Sequence, residues 1–179
     1  MPNYCDYEMK VVGKTKKSVE NIIKYLQADY NYDSENGASY FHPWRVFEAN
    51  CKSGGVLKEG EKYVAYIFGC CAWSVYSCMF DGNYTYQGRN KDIPNCKGRT
   101  IDFMCRLSKV DCEIYSYECG CCFQEHFLIN NKGDIEINES CDYEERYDDN
   151  GEPIYDENGD QEIIGGYYNP YQGEAPFSI

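Results

Sequence analysis

Apolar and polar residues alternate from Tyr4 to Val12, with Tyr7, Met9 and Val11 on one side, which predicts a first strand closed by Gly13. The interval then lengthens. Val19, Ile22, Ile23 and Leu26 recur at helical spacing behind Ser18, a residue type suited to a helix N-cap, and Lys14, Lys16 and Lys17 before it read as solvated. Tyr63 to Tyr76, YVAYIFGCCAWSVY, is a nearly unbroken apolar run suited to a buried strand, with Gly69 marking a bulge or a close backbone approach. Ile101, Met104, Cys105 and Leu107 make a second helical stripe with Thr100 as its cap candidate. Asp111 to Ile137 is the window richest in β-branched and aromatic residues. Its NNKG at Asn130 to Gly133 is a turn signal, so the stretch predicts a long hairpin near the middle of a sheet.

Two stretches interrupt this order. From Ala28 to Gly60 the pattern weakens: DYNYDSENG reads as a loop, His42 before Pro43 is biased away from helix, and Trp44 and Phe47 are candidates to plug the edge of a core. After Asn138 the pattern changes again. Asn150-Gly151 and Asn158-Gly159 are turn signals in a short acidic repeat, which suits a small acidic hairpin with disorder as the alternative, and Tyr167, Tyr168 and Tyr171 predict a tail that docks.

Charge separates the same regions. The chain of 179 residues carries −13, yet thirteen of its 30 acids fall between Asp134 and Glu162 against one of its 17 bases, Arg146. The rest is close to neutral, so the acidity belongs to one segment, which repels phosphates and attracts basic surfaces. No basic-then-apolar leader opens the chain and no apolar run is long enough to span a bilayer, so the expectation is a cytosolic protein away from the membrane. Twelve cysteines without a secretion signal read as reduced thiols packed as small hydrophobes.

Three short stretches carry a resemblance. MPNYC at the start with a strand ended by Gly13, AWS at Ala72 to Ser74, and YECG at Tyr117 to Gly120 with Phe123 following resemble the YubB-type ferredoxin-like proteins of plasmids and phages. The similarity covers residues 1–137. It implies an α+β fold, a ferredoxin-like antiparallel sheet with two helices on one face, and a mobile-element origin, but no activity. Residues 138–179 then form an acidic, Tyr-rich C-terminal extension.

Candidate chemistry is sparse. Cys119, Cys121, Cys122 and His126 could contribute to a metal or redox module, but no second CxxC completes a zinc set, and in a strand Cys119 and Cys121 would face away from Cys122 and His126. A cysteine nucleophile would need His42 or His126 as base, and neither lies in a motif with a cysteine, while Cys70 and Cys71 sit in an apolar run. Calcium fits poorly: with Gly151 or Gly159 as the sixth residue of an EF-hand loop, the first ligand would be Arg146 or Ile154. No phosphate-cradling loop or hydrolase motif occurs. The basic residues are scattered apart from Arg89, Lys91, Lys97 and Arg99, which argues against direct nucleic-acid binding.

The expectation is therefore a non-enzymatic protein without a cofactor, an inhibitor carried by a phage or other mobile element. It would bind a host nuclease with a basic groove, such as a CRISPR effector, as an anti-CRISPR protein does, and use its acidic surface as a DNA mimic. The partner-binding residues would be Glu139, Asp142, Glu144, Glu145, Asp148, Asp149, Glu152, Asp156, Glu157 and Asp160. Alternatives are the metal or redox module and a structural or assembly protein of the mobile element. Oligomeric state is open at this level.

Overall fold

The first strand forms as its alternation demands: β1 (Tyr4–Gly13) buries Cys5, Tyr7, Met9 and Val11 on one face. This computed structural model describes residues 3–27, 43, 45–80 and 100–179. The expectations for the loop at 28–42, for Trp44 and for the basic residues Arg89, Lys91, Lys97 and Arg99 concern residues outside that range. Helix α1 (Lys16–Gln27) buries Val19, Ile22, Tyr25 and Leu26. Its cap is Thr15 rather than Ser18: Thr15 Oγ1 accepts the Ser18 backbone N–H at 3.2 Å and lies 2.8 Å from Ser18 Oγ.

The weakly patterned stretch after it supplies two strands that periodicity did not announce, β2 (Val46–Cys51) and β3 (Leu57–Glu59). Both lie on β4 (Lys62–Ala72), the apolar run. Gly69 is where β2 comes closest. A Cβ there would stand 1.9 Å from the Glu48 carbonyl oxygen, which accepts the Tyr7 hydroxyl at 2.7 Å, and the β2 register shifts between Val46 and Glu48. The run does not stay extended to Tyr76. It leaves the sheet at Trp73, whose φ is +66°, and enters a π-helical turn at Tyr76–Phe80.

Helix α2 (Ile101–Ser108) buries Ile101, Met104 and Cys105 but leaves Leu107 exposed, and it ends at Lys109 in a left-handed conformation. The window expected to be one hairpin is three strands. A turn at Cys119–Cys122 separates β5 (Val110–Glu118) from β6 (Phe123–Ile129), and the NNKG turn leads on to β7 (Ile135–Glu145). A short β8 (Ile163–Gly165) then pairs with Tyr143–Glu145.

The fold-class expectation is corrected by these strands. The chain is not a ferredoxin-like two-helix α+β sandwich: it is mostly one eight-stranded antiparallel sheet, ordered β2-β4-β1-β5-β6-β7-β8 with β3 on β4. Its helices are few and short, the longer having 12 residues. The expectation failed because the sheet does not stop where the resemblance stops, and the boundary set after Ile137 falls inside β7.

Both faces of the central strands are covered. On one face the odd positions of β1, Cys112 and Ile114 of β5, and Phe127 and Ile129 of β6 join α1 and α2 in the hydrophobic core, where each large aliphatic side chain contributes roughly 1.5–3 kcal/mol. On the other, residues 166–179 return as a strap: Tyr167, Tyr168 and Phe177 set their rings against Tyr115, and Ala175 is buried. The strap is why β5 is buried along nearly its whole length, beyond what alternation implies.

Candidate functional site

The acidic segment folds around an eight-residue repeat. Tyr147-Asp148-Asp149-Asn150-Gly151-Glu152 and Tyr155-Asp156-Glu157-Asn158-Gly159-Asp160 close as matching turns. In each, the first aspartate accepts from the asparagine backbone N–H at 2.8 Å and from the residue after glycine, at 2.9 Å for Glu152 and 3.0 Å for Asp160. Those bonds favour the ionised form and hold the Asp148 and Asp156 carboxyls below their ordinary range. The glycines take φ of +83° and +87°, which the turn requires. Three backbone bonds tie the loops together in a ring: Arg146 N–H to Glu162 O, Glu162 N–H to Ile154 O, and Ile154 N–H to Arg146 O, each 2.9 Å.

The ten expected partner-binding acids are therefore unequal. Asp148 and Asp156 are spent on the turns, and Asp156 Oδ2 also accepts from Gln172 Nε2 at 2.7 Å. Glu145 accepts from the Tyr147 hydroxyl at 2.6 Å and from Tyr171 at 3.2 Å. Among the described residues, Glu139, Asp142, Glu144, Asp149, Glu152, Glu157 and Asp160 have no side-chain hydrogen bond or ion pair, and all but the half-buried Asp160 are exposed. Arg146, the one base in the segment, is paired with Glu162.

The pleat of β7 also divides the set. Glu139 stands opposite His126 and Cys141 opposite Gln124, on the strap face, so Asp142 and Glu144 point to the helix-bearing face. No single flat array holds all the carboxylates; what they share is the outer edge of the sheet and the loops beyond it.

The cysteine cluster does not assemble a metal site. Cys119 to Cys122 form a turn, not a strand, and among the described residues no three His, Cys, Asp or Glu side chains converge as a metal ligand set. His126 points elsewhere, with Nε2 3.0 Å from the buried Glu113 Oε1 and its ring stacked on Tyr115 at 4.1 Å between centroids. The Glu118 carboxylate raises the Cys121 thiol above its ordinary value, and burial beside Glu145 raises Cys122, so both favour the unreactive protonated form. All described cysteines are free thiols, with Cys5, Cys71, Cys78, Cys105 and Cys112 buried.

Sequence reading missed the buried polar residues that hold the sheet to its covers. Glu113 accepts from the Ser178 backbone N–H at 2.6 Å, from Ile179 N–H at 3.2 Å and from the Ser178 hydroxyl at 3.1 Å. Gln124 receives Tyr167 N–H at 2.6 Å and donates to Tyr168 O at 2.7 Å. Glu125, on the opposite face, accepts from Val75 N–H at 2.7 Å, Tyr76 N–H at 3.2 Å and Ser116 Oγ at 2.7 Å; burial raises its carboxyl above the ordinary range. The available signal was polar residues at positions where both faces of a strand are apolar.

The stretches that carry the family resemblance meet at one end of the sheet. The Trp73 N–H donates to Asn3 O at 2.8 Å, the Asn3 amide reaches Cys121 Sγ at 3.4 Å, and Glu118 accepts from Gly120 N–H at 2.9 Å. Arg45 lies over the Trp73 ring at 4.9 Å. Arg45, Trp73 and Cys122 all have positive φ here, a concentration of backbone strain in non-glycine residues. Comparison with protein-family models, curated proteins and solved structures finds no match to this chain.

Proposed function

We propose that the protein is a non-enzymatic binding protein, an inhibitor of mobile-element origin that sets its acidic sheet edge and loops against the basic groove of a nucleic-acid-processing nuclease, such as a CRISPR effector. The observation that carries the reading is the set of exposed carboxylates that, among the described residues, lack side-chain partners at β7 and in the two turns, with Arg146, the segment's one base, already paired. A groove built to hold phosphates supplies the opposite charge, and burial at an interface strengthens each such pair. The mimicry is of charge along an edge and not of a flat phosphate array, because the β7 pleat turns Glu139 away from Asp142 and Glu144.

The test uses the side chains that do not hold the fold. Asp149→Lys, Glu152→Lys and Glu157→Lys, combined, change the charge without touching Asp148, Asp156 or Glu145. Capture of a purified CRISPR effector nuclease, and relief of its DNA cleavage, are measured for wild type and variant across salt. Binding that weakens with salt and fails in the variant supports the reading; capture by the variant at wild-type strength removes it.

A further inference from the structure

The two sides of β7 are not alike. Its inner side pairs with β6 from Ile135 to Asp142, whereas β8 pairs only with Tyr143, Glu144 and Glu145. Among the described residues no strand pairs with the outer side of Ile137 to Cys141. The direction of the free groups follows from the ladder. Tyr143 donates its N–H inward to Cys122 O at 2.8 Å, so by antiparallel alternation Cys141, Glu139 and Ile137 also face β6, and the N–H and C=O of Asn138 and Ser140 face outward; Asp142 also faces outward, but β8 covers it, since a Cβ on Gly165 would stand 3.1 Å from its carbonyl oxygen. Asn138 and Ser140 are exposed, as is the side chain of Asp142. Their side chains, with that of Glu144, lie on the helix-bearing face, and Glu139 lies on the other.

An exposed strand edge ordinarily invites a second copy. Here self-pairing would bring Glu139, Asp142 and Glu144 of two molecules within roughly a Debye length of about 10 Å, at a segment already rich in acid. The same charges favour an added strand with basic side chains at alternate positions.

We propose that the outer edge of β7, from Ile137 to Cys141, is a docking site for an extended basic segment of a partner protein, which adds antiparallel to Asn138 and Ser140 and turns its lysines or arginines toward Asp142 and Glu144. The backbone supplies affinity and the carboxylates select the sign of the partner. This rests on the reading of the acidic edge as a partner surface and specifies how the partner is held.

The probe is a blocked eight-residue peptide (about 8 to cover the edge) of alternating lysine and threonine, with a control of the same sequence N-methylated at every second residue. The control has the same charge but cannot complete the ladder. On the whole protein, the unmethylated peptide protects the amides of Asn138 and Ser140 from hydrogen exchange, and the methylated peptide binds at least about tenfold more weakly. Asn138→Pro removes an outward N–H and leaves every bond to β6 in place, so its expected phenotype is the same loss at unchanged charge and fold.

Equal binding of both peptides without edge protection overturns strand addition while leaving the charge reading intact. Absence of binding by either peptide at low salt overturns both. A peptide-independent dimer that Asn138→Pro abolishes assigns the edge to a second copy and overturns the basic-segment proposal.

Discussion

Gly69→Ala tests how closely β2 is held to the sheet. The added Cβ would stand 1.9 Å from the Glu48 carbonyl oxygen, 2.6 Å from its carbon and 2.8 Å from the Tyr7 hydroxyl, so the obstacle is backbone and no side-chain rotation relieves it. Glu48 has to move by more than about 1 Å to reach ordinary van der Waals contact, which breaks the bond from the Tyr7 hydroxyl. Overpacking of this kind costs roughly 1–3 kcal/mol, and a buried hydroxyl left without its acceptor costs roughly another 1–3. The expected loss is about 2–6 kcal/mol, a large share of the stability of a domain, and roughly 5–20 °C in Tm. Gly151→Ala is the control: its φ is +83° but nothing lies within 4 Å, so it bears only the left-handed penalty, about 1–2 kcal/mol. Urea unfolding of both variants at matched slope decides it. A Gly69→Ala midpoint no lower than that of Gly151→Ala would refute the argument from close approach.

Three further outcomes follow from the buried polar groups and the thiols. Glu113→Gln replaces the acceptor of the Ser178 and Ile179 N–H groups with an amide that presents donors on one side; a loss of about 2–4 kcal/mol is expected, with faster exchange of both amides, and protection at the wild-type level would contradict the anchoring role. Glu125 has its carboxyl raised by burial, so the folded state holds the proton more tightly than the unfolded state. Relative to Glu125→Gln, wild-type stability is expected to be lowest above the folded pKa and to rise as pH falls through it toward the ordinary value of 4.5, levelling off below; urea midpoints against pH read this, and a wild type that weakens over that window reverses the sign. In a thiol-reagent titration, the exposed Cys119 is expected to react in the native protein and Cys121, exposed but held protonated by Glu118, more slowly, whereas Cys5, Cys71, Cys78, Cys105 and Cys112 react only after denaturation; native labelling of Cys112 would deny its place in the core.

What could be read from sequence was what alternation and turn chemistry dictate locally. β1, β4, both helices, the NNKG turn and the tight approach at Gly69 follow from periods of two and 3.6 and from glycine placement. β2 and β3 were not legible because their residues face a neighbour on one side only and their pattern has no period of its own. The turn at Cys119 to Cys122 was hidden by its apolar composition, which made β5 and β6 look like one strand and invited a two-sided arrangement of the thiols. Of the candidate site, the location of the acids was plain, but their division was not. Asp148 and Asp156 look like any other carboxylates until the turn bonds are seen, and the faces of Glu139 and Asp142 depend on a register that only pairing with β6 sets. Glu113, Gln124 and Glu125 were missed because most of their partners are distant in the chain. Their partners lie between 43 and 66 residues away for the strap and 49 to 50 for the π-helical turn.

A chain made from its amino end must wait for the strap. When β5 and β6 first meet, Glu113 and His126 have each other, but the N–H groups of Ser178 and Ile179 that complete the carboxylate's shell do not yet exist. Until those residues emerge, one flank of the nascent sheet shows water the Glu113 carboxyl beside the stacked rings of Tyr115 and His126, a surface fit to be held by a chaperone. Emergence of the strap is thus also the step that hides it, and a ribosome-stalled chain lacking residues 167–179 should be retained by such factors when a chain that includes them is released.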